Sequence, residues 1–235
     1  MRAVLSLAVC VTVVTTAVSA QAVDRCTAPP APAADFSRCN LVGKDLSGAN
    51  LAGAKFENAD LRGARLDHAN LQGANLKWAN LQKASARDAD MSGAQLFHTI
   101  FDEADVSGVS FRRANMFGAK MNYAKAVGAD LTAAYLKDVN MEGIDLSHGR
   151  IVDSYMLRAV MIDGRFAESE IIGSDLTGAS ADGAVFTGAN LSGTVLSGAG
   201  LSRADLRDAD LKGADLTNAD LSEARMEGVR NRPAP

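Results

Sequence analysis

Every fifth residue from Phe36 to Met226 is apolar, without an insertion or deletion, and the residue two before it is usually Ala. This period is neither the 3.6 of a helix nor the alternation of a flat strand. Within each unit, however, Ala-x-Leu is a period-two step that sends two side chains in and one out. The pair that follows, often Ser-Gly, Lys-Gly or Thr-Asn, has turn composition. The pattern predicts very short strands joined by corners and wound into a solenoid, each unit burying its apolar side chains against its neighbours.

Residues that break the outward polar pattern set the coil length, because they recur twenty apart. Phe97 and Phe117, Trp78 and His98, Tyr135 and Tyr155, and Val152 and Ile172 do so, as do the inward pairs Phe36/Phe56, Ile151/Ile171 and Phe166/Phe186. Twenty residues are four units. The expected fold is therefore all-β, a four-sided solenoid of about ten coils at ~4.8 Å each, roughly 45 to 50 Å long. Core volumes fit such coils: Ala126 shares one with Met116 and Met121, and Ala86 shares one with Met91.

The Asp or Asn before each inward Leu points outward at a corner, where a short side chain can bond nearby backbone N–H groups. That is the role assigned to Asp205, Asp210, Asp215 and Asp220. Successive acids fall on four different walls, so they build no acidic stripe. Between 139 and 174 the small inward position changes from Ala to Val139, Ile144, Gly149, Ser154, Gly164, Ser169 and Ser174, with only Ala159 kept. Bulky residues paired with Gly and Ser predict repacking or altered corners at constant coil length. Lys44 also takes an inward small position, near the first coil, where its amine can reach water.

"ANLAGAKFENADLRGARL", "ANLQGANLKWANL" and "ADLRDADLKGADLTNADLSEA" resemble the pentapeptide-repeat family, whose pattern is A(D/N)LXX. The resemblance covers residues 34–228. It implies a right-handed, four-sided β-helix, in agreement with the spacing of twenty, and says little about function. Its best-known members resemble duplex DNA in shape and charge and protect DNA gyrase from quinolones, so a topoisomerase-binding DNA mimic is one alternative.

The first residues, "MRAVLSLAVCVTVVTTAVSAQA", carry one positive charge, an apolar run and small residues at Val18 and Ala20. They read as a secretory signal over residues 1–20, cleaved after Ala20 or Ala22, too short and Thr-rich for a membrane span. The mature chain is then periplasmic or secreted, with no stable membrane insertion after cleavage. Residues 21–35 form a Pro-rich cap, 36–229 the repeat solenoid and 230–235 a tail. Cys26 and Cys39 are an even pair in an exported chain and are expected to form a disulfide that ties the cap back. The chain's net charge is −4, and −5 once the leader's single Arg is removed. So mild a balance argues against nucleic acid as a partner and counts against the DNA mimic, as does export.

No phosphate-cradling glycine motif, zinc-spaced Cys/His set or nucleophile elbow is present, so no catalytic residue, metal site or cofactor is assigned. His68 stacks below Asp88 and His148 below Glu168, but neither pair has a nucleophile beside it. One constellation remains. Trp78 and His98 form one outward column on the first wall, Phe97, Phe117 and Leu157 a second, and Tyr135 and Tyr155 a third, with Lys77, Lys137 and Arg158 between them. Tyr123 lies apart on the second wall. Clustered outward aromatics fit a protein-binding anchor or a carbohydrate-stacking platform, against a purely structural role in cross-strand stacking. The expected role is an exported, non-enzymatic scaffold for an unknown protein partner, or alternatively a carbohydrate-binding or envelope structural module. The sequence leaves the oligomeric state open.

Overall fold

A computed structural model describes residues 25–232, and the leader assigned to residues 1–20 lies outside them. The fold is a β-solenoid. Parallel bridges run unbroken from Asp35↔Lys55 to Asp210↔Arg230, one at every fifth residue, and each joins residues twenty apart. The only helical element among the described residues is the 3-10 turn Arg25–Thr27. Along the axis the inward rings Phe36 and Phe56 stack at 5.2 Å, as do Phe166 and Phe186. The interior is one aliphatic core from Phe36 to Ala214, with Leu206 and nearly every other inward residue fully buried.

One unit shows why the repeat is five residues long. Asp60 N–H donates back to the Cys39 carbonyl at 2.9 Å, and Leu61 N–H donates forward to the Asn80 carbonyl at 2.7 Å. Gly63 N–H reaches Gln82 at 3.0 Å, and Ala64 N–H closes the corner on Leu61 at 2.9 Å. That leaves Arg62 N–H, which points outward and is taken by Asp60 Oδ1 at 3.2 Å. Where a unit carries Asp or Asn at this position, its side chain thus accepts the one backbone donor that the coil does not, as at Asp60, Asn80 and Asp130. The corner's third residue sits in the left-handed region, φ 62° at Gly63, which accounts for the Gly, Asn and Asp enrichment there.

Because an amide oxygen caps as well as a carboxylate, Asp and Asn should interchange freely. Asn190 Oδ1 accepts the Ser192 N–H at 3.1 Å. Asn190→Ala should lower stability by about 1 kcal/mol, and Asn190→Asp should be near neutral at pH 7, measured by urea melts. Asp130 in the same role shows the sign of the pH effect. Burial pushes its carboxyl up, but hydrogen bonds from Thr132 and Arg112 outweigh this and hold it below its ordinary value. A carboxylate cap therefore contributes fully above the unfolded carboxyl's pKa of ~3.9 and is lost as pH falls through the lower folded value. On acidification the Asp variant should lose more stability than the Asn parent, whose other carboxylate caps weaken equally in both.

The irregular stretch keeps its coil length and changes its corners. Residues 151–154 and 171–174 lack the usual corner bond: Ser154 N–H donates instead to Ser174 Oγ at 3.0 Å. Buried hydroxyls take up the freed carbonyls. Ser174 Oγ donates to Ile151 O at 2.8 Å, and Thr194 Oγ1 donates to Ile171 O. Gly149 and Gly164 are small because a Cβ there would meet Leu146 Cδ2 at 2.0 Å and Phe166 Cε2 at 2.6 Å.

The Pro-rich stretch pairs more than its proline content predicts. Ala31–Asp35 already makes a corner, with Ala33 N–H on Ala52 O at 2.8 Å, because Pro32 occupies a corner position whose N–H the coil does not use. Cys26 and Cys39 are joined, with their Cα atoms 5.3 Å apart. Lys44 is exposed, as its place beside the first coil anticipates.

Candidate aromatic face

The constellation expected from the sequence comes together as two ring stacks on one face. Trp78 and His98 are stacked with centroids 4.3 Å apart. Phe97 and Phe117 stack at 5.3 Å, Phe117 and Tyr135 at 6.3 Å, and Tyr135 and Tyr155 at 5.3 Å, all within 14° of parallel. The two stacks meet edge to face, Trp78 on Phe97 at 74° and His98 on Phe117 at 87°. Trp78 is 51% exposed and Tyr135 39%, whereas Phe97, His98, Phe117, Tyr155 and Leu157 are half-buried. Arg158 closes the end with a forked pair onto Asp138, at 2.7 and 2.8 Å. Hydrogen bonding from that guanidinium holds the Asp138 carboxyl below its usual range.

Local backbone geometry positions the shorter stack. Trp78 and His98 occupy the left-handed corner slot at φ 61° and 51°, an uncommon place for large side chains. One coil further on, the same slot is Gly118, and a Cβ there would lie 2.5 Å from His98 Cε1. The glycine makes room for the imidazole, whose Nδ1 lies 3.1 Å from the Gly118 carbonyl. A carbonyl only accepts, so Nδ1 is the donor in this bond. The His98 ring is thereby covered by Trp78 on one side and Gly118 on the other, and Phe117 by Phe97 and Tyr135. Ring edges, not faces, are what most of this stack offers to solvent, which disfavours sugar stacking along it.

The histidine pairs fall where the spacing of twenty puts them. His68 Nδ1 lies 3.8 Å from Asp88, and His148 Nδ1 lies 3.4 Å from Glu168, all four side chains exposed. Exposed pairs of this kind contribute little. Tyr123 is 62% exposed, with its ring over Gly143 and its hydroxyl donating to Glu142 at 2.8 Å. That hydrogen bond pushes the phenol's pKa up. Among the described residues no group of His, Cys, Asp and Glu could hold a metal ion, and no helix is long and apolar enough to cross a membrane. Two features escaped the sequence: the step of the long stack from Phe117 across to Tyr135, and the seating of His98 on Gly118. The second had a signal, a glycine twenty residues after the histidine.

The family model "Pentapeptide repeats" matches residues 33–150 and 169–230. The gap at 151–168 falls inside the stretch with altered corners. No curated protein matches the chain. The crystal structure of HetL, a pentapeptide-repeat protein involved in heterocyst differentiation regulation from the cyanobacterium Nostoc sp. strain PCC 7120, is 30% identical. The match covers 85% of this chain and 92% of HetL, with a TM-score of 0.63. QnrB1, a plasmid-mediated fluoroquinolone resistance protein, is 20% identical over 81% of this chain and 90% of its own, with a TM-score of 0.51. At that identity it supports the fold alone.

Proposed function

Because the chain belongs to the pentapeptide-repeat family, we propose that it is a non-enzymatic, exported scaffold that captures a protein partner on its aromatic face. Its coils are right-handed and four-sided, about ten in all. The corner at every fifth residue and the bridge at every twentieth support that shape. One observation carries the functional reading: six rings form a continuous cluster on a single face, with Trp78 and Tyr135 left substantially in water. Rings recruited for stability alone are accommodated inside the coil, as Phe36 and Phe56 are. Leaving them outside makes a patch of the kind that marks interaction sites, with Trp the residue most enriched at binding hot spots.

The apolar, singly charged pattern of residues 1–20 supports a partner in the periplasm or outside the cell. Fractionated native protein should appear in the envelope or medium, starting at Gln21 or Val23. Trp78→Ala with Phe117→Ala should leave the circular dichroism intact and abolish partner capture from periplasmic extract. Changing His68 and His148, on a different face, should leave capture unchanged. A ring variant that keeps every partner, or a wild type that captures none, would reduce the aromatics to struts of the rod.

A further inference from the structure

The geometry points to an acidic, extended polypeptide segment as the occupant of the aromatic face. This rests on the reading above and adds the partner's chemistry. From Asn75 to Lys137 the outward positions of this face carry no carboxylate, in a chain with 28 Asp and Glu. Even the corner caps are neutral here: Asn75 accepts from Lys77 N–H at 3.2 Å and Asn115 from Phe117 N–H at 3.3 Å. Elsewhere the task is shared between acids, such as Asp60, Asp130 and Asp205, and amides, such as Asn80 and Asn190.

The lysines of this face, unlike Arg158, are held in no close ion pair. Lys77 and Lys137 share the column of Phe97 and Phe117 and bracket them, one coil before and one after. Both are half-buried. Exposed Lys120 stands beyond the adjacent corner. On other faces many such cations pair with an acid twenty residues away, as in Lys83–Glu103 at 3.4 Å and Arg150–Glu170 at 3.0 Å. Among the described residues none of the three lysines makes an ion pair within 4 Å. Glu57, one coil before Lys77, stays out of that range, and Asp138 is occupied by Arg158. Ring edges carry positive partial charge, so the stacked rings themselves favour an anionic ligand.

Spacing defines the segment. Lys77 and Lys137 are three coils apart, about 14 Å at ~4.8 Å per coil. An extended chain covers that distance in about four residues at ~3.4 Å each, and residues i, i+2 and i+4 share one side. The face therefore fits an acid at i, an apolar side chain at i+2 over Phe97 and Phe117, and an acid at i+4.

The chain has one Trp, so Trp78 fluorescence reads this face directly. The probe is a capped nonapeptide, Glu-Ser-Leu-Ser-Glu-Ser-Leu-Ser-Glu, titrated into the folded protein beside its Lys-for-Glu counterpart, heparin and single-stranded DNA. A saturable change should appear with the acidic peptide alone and weaken as salt rises. Lys77→Ala with Lys137→Ala, the rings kept, should weaken binding about tenfold. Equal binding of the Lys peptide, tighter binding of heparin or DNA, or indifference to the lysine pair overturns the inference. If a captured protein partner depends on the rings and not on the lysines, the scaffold reading stands and its acidic chemistry falls.

Discussion

Phe111→Ala should lower the free energy of unfolding by about 3 to 5 kcal/mol, the largest effect of any single substitution considered for this chain. Its ring is completely buried and meets Phe101 edge to face at 5.8 Å. The hole would be lined by other coils of the same rod, which are held at fixed spacing by bridges on every side, so little collapse is available to fill it. In a solenoid each coil leans only on its neighbours, so the damage should also break the melt's cooperativity near residue 111. Urea melts followed by circular dichroism and by Trp78 fluorescence separate the two effects. Phe117→Ala, one unit on but outward and half-buried, serves as the control and should cost far less. Equal losses from the two would mean that the inward column is misassigned.

That contrast was legible in the sequence, because a strict period of five leaves no freedom about which residues face in. The coil length was legible too, since Trp78 and His98 or Tyr135 and Tyr155 mark twenty without any structure. The outward acid's bond to the N–H two residues on follows from turn chemistry, as Asp60 and Arg62 show. Several features were hidden because they depend on side-chain direction, not register. The pattern gives columns, but not whether rings turn their faces or edges outward. It flagged Ser154 and Ser174 as unusual, but not that one hydroxyl replaces a corner's carbonyl as the acceptor. Leu216, Leu221 and Met226 follow the inward period yet are only partly buried, because among the described residues no further coil covers them.

The charge pattern bears on the DNA-mimic alternative. A duplex mimic needs uninterrupted negative faces, whereas here acids are repeatedly neutralised by a cation two or twenty residues away. Asp205 holds both Arg207 at 2.6 Å and Arg225 at 3.3 Å, and hydrogen bonding from Arg207 is the main reason its carboxyl lies below the ordinary value. The aromatic face carries the opposite bias, with lysines and no acid from Asn75 to Lys137. Likeness to QnrB1 supports the shared fold alone.

Removing the disulfide should cost about 3 kcal/mol, the second large effect expected. The linked residues are 13 apart, so the closed loop is short and the gain comes mainly from restricting the unfolded chain. Cys39 lies 1% exposed in the first coil beside Phe36, while Cys26 and Ala28 pack partly against the same core. The bond therefore holds the segment before the first coil over apolar side chains and strand edges that an open solenoid end would leave to water. Cys26→Ala with Cys39→Ala tests this more cleanly than serine, which would bury a hydroxyl at position 39. Hydrogen exchange should show the loss concentrated at the Phe36 and Leu41 amides, both bonded into the next coil at 2.7 Å, and fading beyond the second coil. Dithiothreitol added to the native protein should reproduce the destabilisation. Unchanged melts in the double variant, or two alkylatable thiols in exported protein, would show that the end of the rod is held by packing alone.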